Sequence, residues 1–162
     1  RTPCTAADVV PLADEGARGV AGARMRHIAE LVLSLAGAPV ILFVQWKSMV
    51  RDARAALRAA GARVLLLDGN LAQRTATLHG FQEAGGVLLL CLEEGFAGLH
   101  LPHVRQVVFA HAIVGDRARV QHLERQAVAR CVRTGQTDEP VRVASFVVAD
   151  CAEEALWHAT RA

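Results

Sequence analysis

The sequence lacks the marks of a membrane or secreted protein. None of its apolar runs approaches the roughly 18 residues needed to span a membrane. Its N-terminus, Arg-Thr-Pro-Cys, shows no charged segment followed by an apolar one, so we see no secretory signal. The sequence also has no initiator methionine, and we expect it to be part of a longer protein.

Metal-binding and disulfide patterns are absent as well. The four cysteines are far apart and form no Cys-x-x-Cys pair, which favours free thiols in a reducing compartment: Cys4, Cys91, Cys131 and Cys151. His100 and His103 are close in sequence, but no carboxylate or thiol stands at metal-ligand spacing beside them. We therefore expect no metal site.

Two kinds of nucleotide-binding loop are missing too. The sequence contains no Gly-x-x-x-x-Gly-Lys-Ser/Thr phosphate loop, and no Asp-Glu-x-His-type strand that would hold magnesium. No Gly-x-Gly-x-x-Gly opens a first helix, which argues against a stand-alone dinucleotide-binding domain such as a small dehydrogenase. If this chain works with ATP, another domain must bind most of the nucleotide.

The composition is that of a single globular domain. The chain has 162 residues, of which 52% are hydrophobic and 21% charged. Its net charge of +2 is too small to indicate nucleic-acid binding by itself. Lys47 is the only lysine among 18 basic residues, which we attribute to a GC-rich genome.

Hydrophobic periodicity predicts alternating helices and strands after a linker at residues 1–20, with a single domain over 21–162. The predicted helices cover 23–36, 47–60, 71–84, 117–133 and 151–161. The predicted strands cover 40–44, 63–67, 87–92, 106–110 and 141–148, and most are continuously apolar.

This alternation predicts an α/β three-layer sandwich with a mostly parallel sheet and right-handed crossovers. Ligands of such sheets bind beyond the carboxyl ends of the strands. Asp68-Gly69, the loop from Gly95 to Gly98 and the start of the 117–133 helix all follow predicted strand ends.

The segment 126–136 is the most informative in the chain. On a helix, Gln126, Arg130 and Arg133 fall within roughly one quarter of the circumference, because successive residues turn by about 100°. Two arginines fixed on one face suit the binding of phosphate oxygens. A solvated helix face is the alternative interpretation of the same spacing.

Five segments in order resemble the second RecA-like lobe of superfamily 2 helicases, within that group the Swi/Snf-type DNA translocases. The resemblance covers about residues 20–157. Its segments are Val40 to Trp46; Leu67-Asp68-Gly69 with Arg74 and Phe81; Gly95 to Leu101; Gln126 to Gln136, in the pattern Gln-x-x-x-Arg-x-x-Arg-x-Gly-Gln; and Glu153-Glu154.

The resemblance implies ATP-driven movement along duplex DNA. In this family ATP with Mg²⁺ binds between two lobes and is held mainly by the first, while the second supplies arginine fingers, which by position are Arg130 and Arg133 here. Gln126 and Gly98 would then lie near the nucleotide. The loops implied to contact the DNA backbone contain Gln45, Lys47, Asn70, Gly95 and His100.

The implied partners are the first lobe of the same chain and double-stranded DNA or a nucleosome, with no membrane, and the implied location is the nucleus. The sequence departs from the family pattern at Glu93-Glu94, at His100 and at His111-Ala112. These departures fit a divergent branch whose members carry a ring-finger ubiquitin-ligase insert, which would add ubiquitin-pathway partners. The alternative is a catalytically decayed lobe that serves as a protein-interaction scaffold.

Overall fold

A computed structural model describes residues 8–12, 16–35, 37–94, 98–131 and 140–161. The strands are β1 (Asp8–Leu12), β2 (Val40–Val44), β3 (Val64–Leu66), β4 (Val87–Cys91), β5 (Gln106–Phe109) and β6 (Arg142–Val148). The helices are α1 (Gly16–Ser34), α2 (Lys47–Ala59), α3 (Leu71–Ala84), α4 (Arg117–Ala129) and α5 (Ala152–Ala159).

All six strands join one parallel sheet in the order β1-β6-β5-β2-β4-β3. Val40 of β2 lies opposite Val87 of β4 on one side and Gln106 of β5 on the other. Because every strand runs the same way, the loops that leave the strands gather at one carboxyl edge. Those that enter gather at the opposite, amino edge.

Alternate residues of the central strands pack against helices on opposite faces of the sheet. Ile41 and Phe43 contact one core with residues of α3 and α4, while Val40 and Leu42 belong to a second core with residues of α1 and α2. This arrangement explains why the strands read as continuous apolar runs, since both faces are covered. The predicted α/β sandwich with a parallel sheet is confirmed.

The predicted linker at residues 1–20 is wrong for the part of that stretch that the structure describes. Asp8–Leu12 forms β1, which pairs with β6, and α1 begins at Gly16 rather than at 23. Pro11 lies inside β1, and a proline is tolerated there because β1 is an edge strand that needs hydrogen bonds on only one side.

The other elements agree closely with expectation. β2 and α3 have the predicted bounds, whereas α4 ends at Ala129 instead of continuing to 133. Residues 132–139 lie outside the described part of the chain, so Arg133 and the end of the predicted helix do as well. Within the residues described, no helix is both long and apolar enough to cross a membrane.

Candidate functional site

The residues predicted from the sequence fall into two groups at different edges of the sheet. Lys47 and Asn70 begin the helices that follow β2 and β3, so both lie at the carboxyl edge. Arg130 ends α4, which starts at the carboxyl edge after β5 and runs back over ~20 Å. Arg130 therefore lies away from the strand ends at which ligands of parallel sheets commonly bind.

Contacts at the end of α4 define where Arg130 lies. Its backbone carbonyl accepts a hydrogen bond from the amide of Leu101, at 2.8 Å. The next residue, Cys131, lies close enough to Arg105 for that positive charge to act on the pKa of its thiol. Arg105 comes directly before β5. The half-buried Arg130 is thus held at the amino edge, beside the segment that carries Gly98 and His100.

Cys131 anchors this end of the helix in the core. Its side chain is fully buried, and burial raises the pKa of the thiol to about 12. A thiol with that pKa is neutral at physiological pH and packs as a small apolar group. Gln126 lies one turn before Arg130, and its side-chain amide contacts the ring of His122 at 2.8 Å between Nε2 atoms.

The loop after β4 contains three predicted residues. Gly95 lies outside the described residues. Gly98 is exposed with a φ of +80°, a backbone conformation that favours glycine, and a Cβ there would meet no atom within 4 Å. His100 is exposed one residue before Leu101. The glycine is therefore explained by backbone conformation alone.

At the carboxyl edge, Lys47 is exposed and its ammonium nitrogen lies 2.6 Å from a carboxylate oxygen of Glu94. The hydrogen bond to Glu94 and its negative charge raise the pKa of Lys47. Glu94 is one of the two carboxylates that depart from the family pattern. The chain thus places an acidic group where the resemblance implies a phosphate of DNA.

Asn70 and Gln45 have structural partners. Asn70 caps α3: its side-chain oxygen accepts from the amide of Gln73, and the Gln73 side chain accepts from the amide of Asn70. Gln45 is 5% exposed and exchanges two hydrogen bonds with the backbone of Val114. That geometry favours a structural role for Gln45 over the direct DNA contact we expected.

The Leu67-Asp68-Gly69 segment lines a cleft of about 250 Å³ at the carboxyl ends of β3 and β4. Arg74 of α3 and Glu94 line the same cleft, whereas Phe81 is fully buried in the core. Sequence reasoning linked Asp68 to Arg74 only through the resemblance. The structure adds Glu94 and Cys91, which no spacing rule could have brought to them.

Comparisons with known proteins agree with this arrangement. Residues 23–135 match the helicase conserved C-terminal domain. The chain belongs to this family. The predicted resemblance to the second RecA-like lobe of Swi/Snf-type superfamily 2 proteins is thereby confirmed.

Curated relatives include the DNA repair protein RAD5 of Gibberella zeae, 36% identical over 72% of this chain and 10% of its own length. RAD5 of Candida glabrata is 32% identical over 83% of this chain and 12% of its own length. The protein CHROMATIN REMODELING 19 of Arabidopsis thaliana is 30% identical over 83% of this chain and 18% of its own length. The chain therefore spans less than a fifth of the length of these relatives.

Solved structures share the fold. The C-terminal part of the Fun30 ATPase domain superposes with a TM-score of 0.70 at 21% identity, over 85% of this chain and 45% of that one. The C-terminal domain of the DEAD-box protein Dbp5 superposes with a TM-score of 0.62 at 21% identity, over 85% of this chain and 76% of that one. At this level of identity the likeness shows the RecA-like fold alone.

Proposed function

We propose that this helicase C-terminal domain is the second lobe of an ATP-driven motor that moves along duplex DNA. The observation that carries the proposal is the position of Arg130. It ends α4 one turn after Gln126, and a backbone hydrogen bond joins it to the segment that follows Gly98. Arg133, three residues on, is proposed to complete the pair.

The chemistry of these residues fits a triphosphate only in part. Guanidinium groups suit phosphate oxygens because they present several N–H donors in a fixed plane. By contrast, the described residues include no group of three carboxylates, imidazoles or thiols that could hold a metal ion. We infer that Mg²⁺ and most of the nucleotide are held by the first lobe.

Arg130 would act by stabilising negative charge on the transferring phosphoryl group. A charge delivered across the cleft between lobes acts only when the lobes close, which links hydrolysis to closure. The anchored helix end supports this role, since an arginine finger must arrive at a fixed position. Gln126 would lie one turn away as a polar neighbour of the same phosphates.

Lys47 at the carboxyl edge is the proposed contact to the DNA backbone, and His100, on the segment beside Arg130, is a second proposed contact away from that edge. Both are exposed; the Lys47 ammonium can neutralise a phosphate, and the His100 ring can hydrogen-bond to one, without reading sequence. The relatives named for DNA repair and chromatin remodelling support a nuclear repair or chromatin role for the parent protein. A ring-finger insert and ubiquitin-pathway partners remain proposals drawn from the same resemblance.

Substitutions of Arg130 in the parent protein test the proposed role. Arg130→Ala should lower the kcat for ATP hydrolysis by ~10³-fold, and Arg130→Lys should recover only a small part because an ammonium lacks the planar fork. The KM for ATP should change far less than kcat. Arg125→Ala is the matched control, because Arg125 is exposed on the same helix and its Nε donates to the carbonyl of Gln121. Full activity in Arg130→Ala would reject the assignment.

A second candidate function is a decayed lobe that binds other proteins. The Lys47–Glu94 ion pair favours this function, because the Glu94 carboxylate is already paired with the ammonium that we propose to contact a DNA phosphate. The sequence of the first lobe and the ATPase activity of the parent protein discriminate between the two functions. A first lobe without a phosphate loop, together with undetectable ATPase activity, would support the scaffold.

A further inference from the structure

A partly buried polar network joins the segments that follow β2, β5 and β6 at the carboxyl edge of the sheet. Its centre is the segment from His111 to Val114, which follows β5 and leads into α4. Gln45, directly after β2, binds Val114 twice: Nε2 donates to the Val114 carbonyl at 2.9 Å and Oε1 accepts from the Val114 amide at 2.7 Å. The two chain segments are therefore fixed in register.

His111 adds a third bond between these segments. The backbone amide of Gln45 donates to His111 Nε2 at 3.0 Å, so Nε2 must be unprotonated. Nδ1, 2.8 Å from the carbonyl of Ala112, then carries the proton and donates it. The imidazole also stacks on Trp46, with ring centroids 5.2 Å apart and planes 1° apart.

Glu153 holds the same segment from the other side. Its Oε1 accepts from the amide of Ala112 at 2.9 Å, and its Oε2 pairs with Arg24 of α1. Arg24 and Glu153 are the charged groups that act on His111. The segment from His111 to Val114 is thus bonded to Glu153 of α5 and to Gln45, which directly precedes Trp46 and Lys47.

This network lies at the carboxyl edge, and the segment that it holds connects that edge through α4 to Arg130. On one side it fixes Gln45 and Trp46, next to Lys47 at the proposed DNA edge. On the other side the segment continues to Asp116, whose side chain caps the start of α4 by accepting from the amide of Arg119. α4 then runs as a single helix to Ala129, and Arg130 follows directly.

We propose that His111 is a positioning residue that couples DNA contact at Lys47 to the position of Arg130. The proposal rests on the proposed function. A movement of Trp46 and Lys47 shifts Gln45, which precedes them. Because Gln45 is hydrogen-bonded to His111 and Val114, the segment that contains them moves as well. That movement displaces the start of α4. A rigid helix transmits that displacement to its far end.

Two substitutions at His111, made in the full-length parent protein, test the coupling. His111→Phe keeps an aromatic ring beside Trp46 but removes the acceptor, whereas His111→Gln keeps an acceptor at similar reach. The basal ATPase rate of each variant is the reference against which its stimulation by DNA is measured. DNA stimulation should fall by about tenfold in His111→Phe and largely return in His111→Gln. Equal loss in both variants, or full stimulation in His111→Phe, would overturn the proposal.

Hydrogen exchange in the wild-type protein provides a test that does not depend on a variant folding. Duplex DNA should alter the exchange of the Gln45 amide and of the Ala112 and Val114 amides together. A change confined to residues 45–47 would overturn the coupling while leaving DNA binding intact. A wild-type protein without DNA-stimulated ATPase activity would instead reject the proposed function itself.

Discussion

Lys47 and Glu94 form an exposed ion pair at the edge where we place DNA. Exposed pairs of this kind are weak, because water screens the charges and the side chains lose freedom. A phosphate can therefore replace Glu94. The carboxylate nevertheless competes with the phosphate and repels it, so this pair should tune DNA affinity.

We expect Glu94→Gln in the parent protein to bind duplex DNA more tightly, by about two- to fivefold. Binding should also become more sensitive to salt, because Lys47 then contacts phosphate more fully. Glu93→Gln is the matched control, since it removes the same charge while Lys47 stays paired with Glu94. Fluorescence anisotropy across a salt series measures both quantities, and equal gains in the two variants would contradict a specific role for the pair.

His111 predicts a dependence of stability on pH. Burial is the main cause that lowers its pKa below the ordinary value of 6.5; the charge of Arg24 lowers it further, while the Ala112 hydrogen bond and Glu153 oppose this. As pH falls below 6.5, His111 binds a proton in the unfolded chain but stays neutral in the folded chain. The free energy of unfolding therefore falls until the folded pKa is reached.

Thermal unfolding of the chain between pH 7.5 and pH 5.5 measures this effect. The stability advantage of wild type over His111→Gln should shrink steadily through that range, because the glutamine does not titrate. A constant difference between the two proteins would show that His111 does not have a lowered pKa in the folded state.

At the scale of the element, α3 shows how a capping residue resembles a binding residue in sequence. Asn70 follows the strand end Asp68-Gly69, which made it a candidate for DNA contact. Its side chain instead completes a capping box with Gln73. Such a box satisfies amide groups at the helix start that have no partner within the helix.

Two substitutions separate the capping role of Asn70 from a DNA-binding role. Asn70→Ala should lower the free energy of unfolding by ~1 kcal/mol through loss of the cap. Asn70→Asp should retain stability, because aspartate caps equally well, yet its negative charge would weaken DNA binding if phosphate passes nearby. Chemical denaturation and DNA titration report the two effects, and stability unchanged in Asn70→Ala would contradict the cap.

The sequence predicted most elements because local patterns determine them. β2 is a continuous apolar run between a helix end and a polar corner, and α3 lies between Asn70 and a Gly-Gly pair, so both were predicted with their true bounds. β1 was missed because Pro11 and its surroundings read as a linker. Only its pairing with β6, a contact distant in sequence, makes that stretch a strand.

The site was less predictable than the fold. Spacing alone put Gln126 and Arg130 on one helix, and the structure does so. The spacing in the sequence did not reveal that Arg130 lies at the amino edge, which depends on the direction of α4 and on the hydrogen bond from the Leu101 amide. Nor did it show that Gln45 is buried against Val114, because that bond joins residues 69 positions apart.

At the scale of the whole molecule, Lys47 and the proposed arginine finger Arg130 lie at opposite edges of one sheet. A single second lobe can therefore contact DNA with one edge and the nucleotide of another lobe with the other. α4 and the network at His111 form one physical connection between them within the residues described.

The DNA-stimulated ATPase rate of the full-length parent protein tests this account most directly, with wild type compared to the double variant Arg130→Ala/Arg133→Ala. The account predicts stimulation by duplex DNA in wild type and a loss of ~10³-fold or more in the variant. A wild-type protein that folds but shows no ATPase activity, or a double variant as active as wild type, would contradict it.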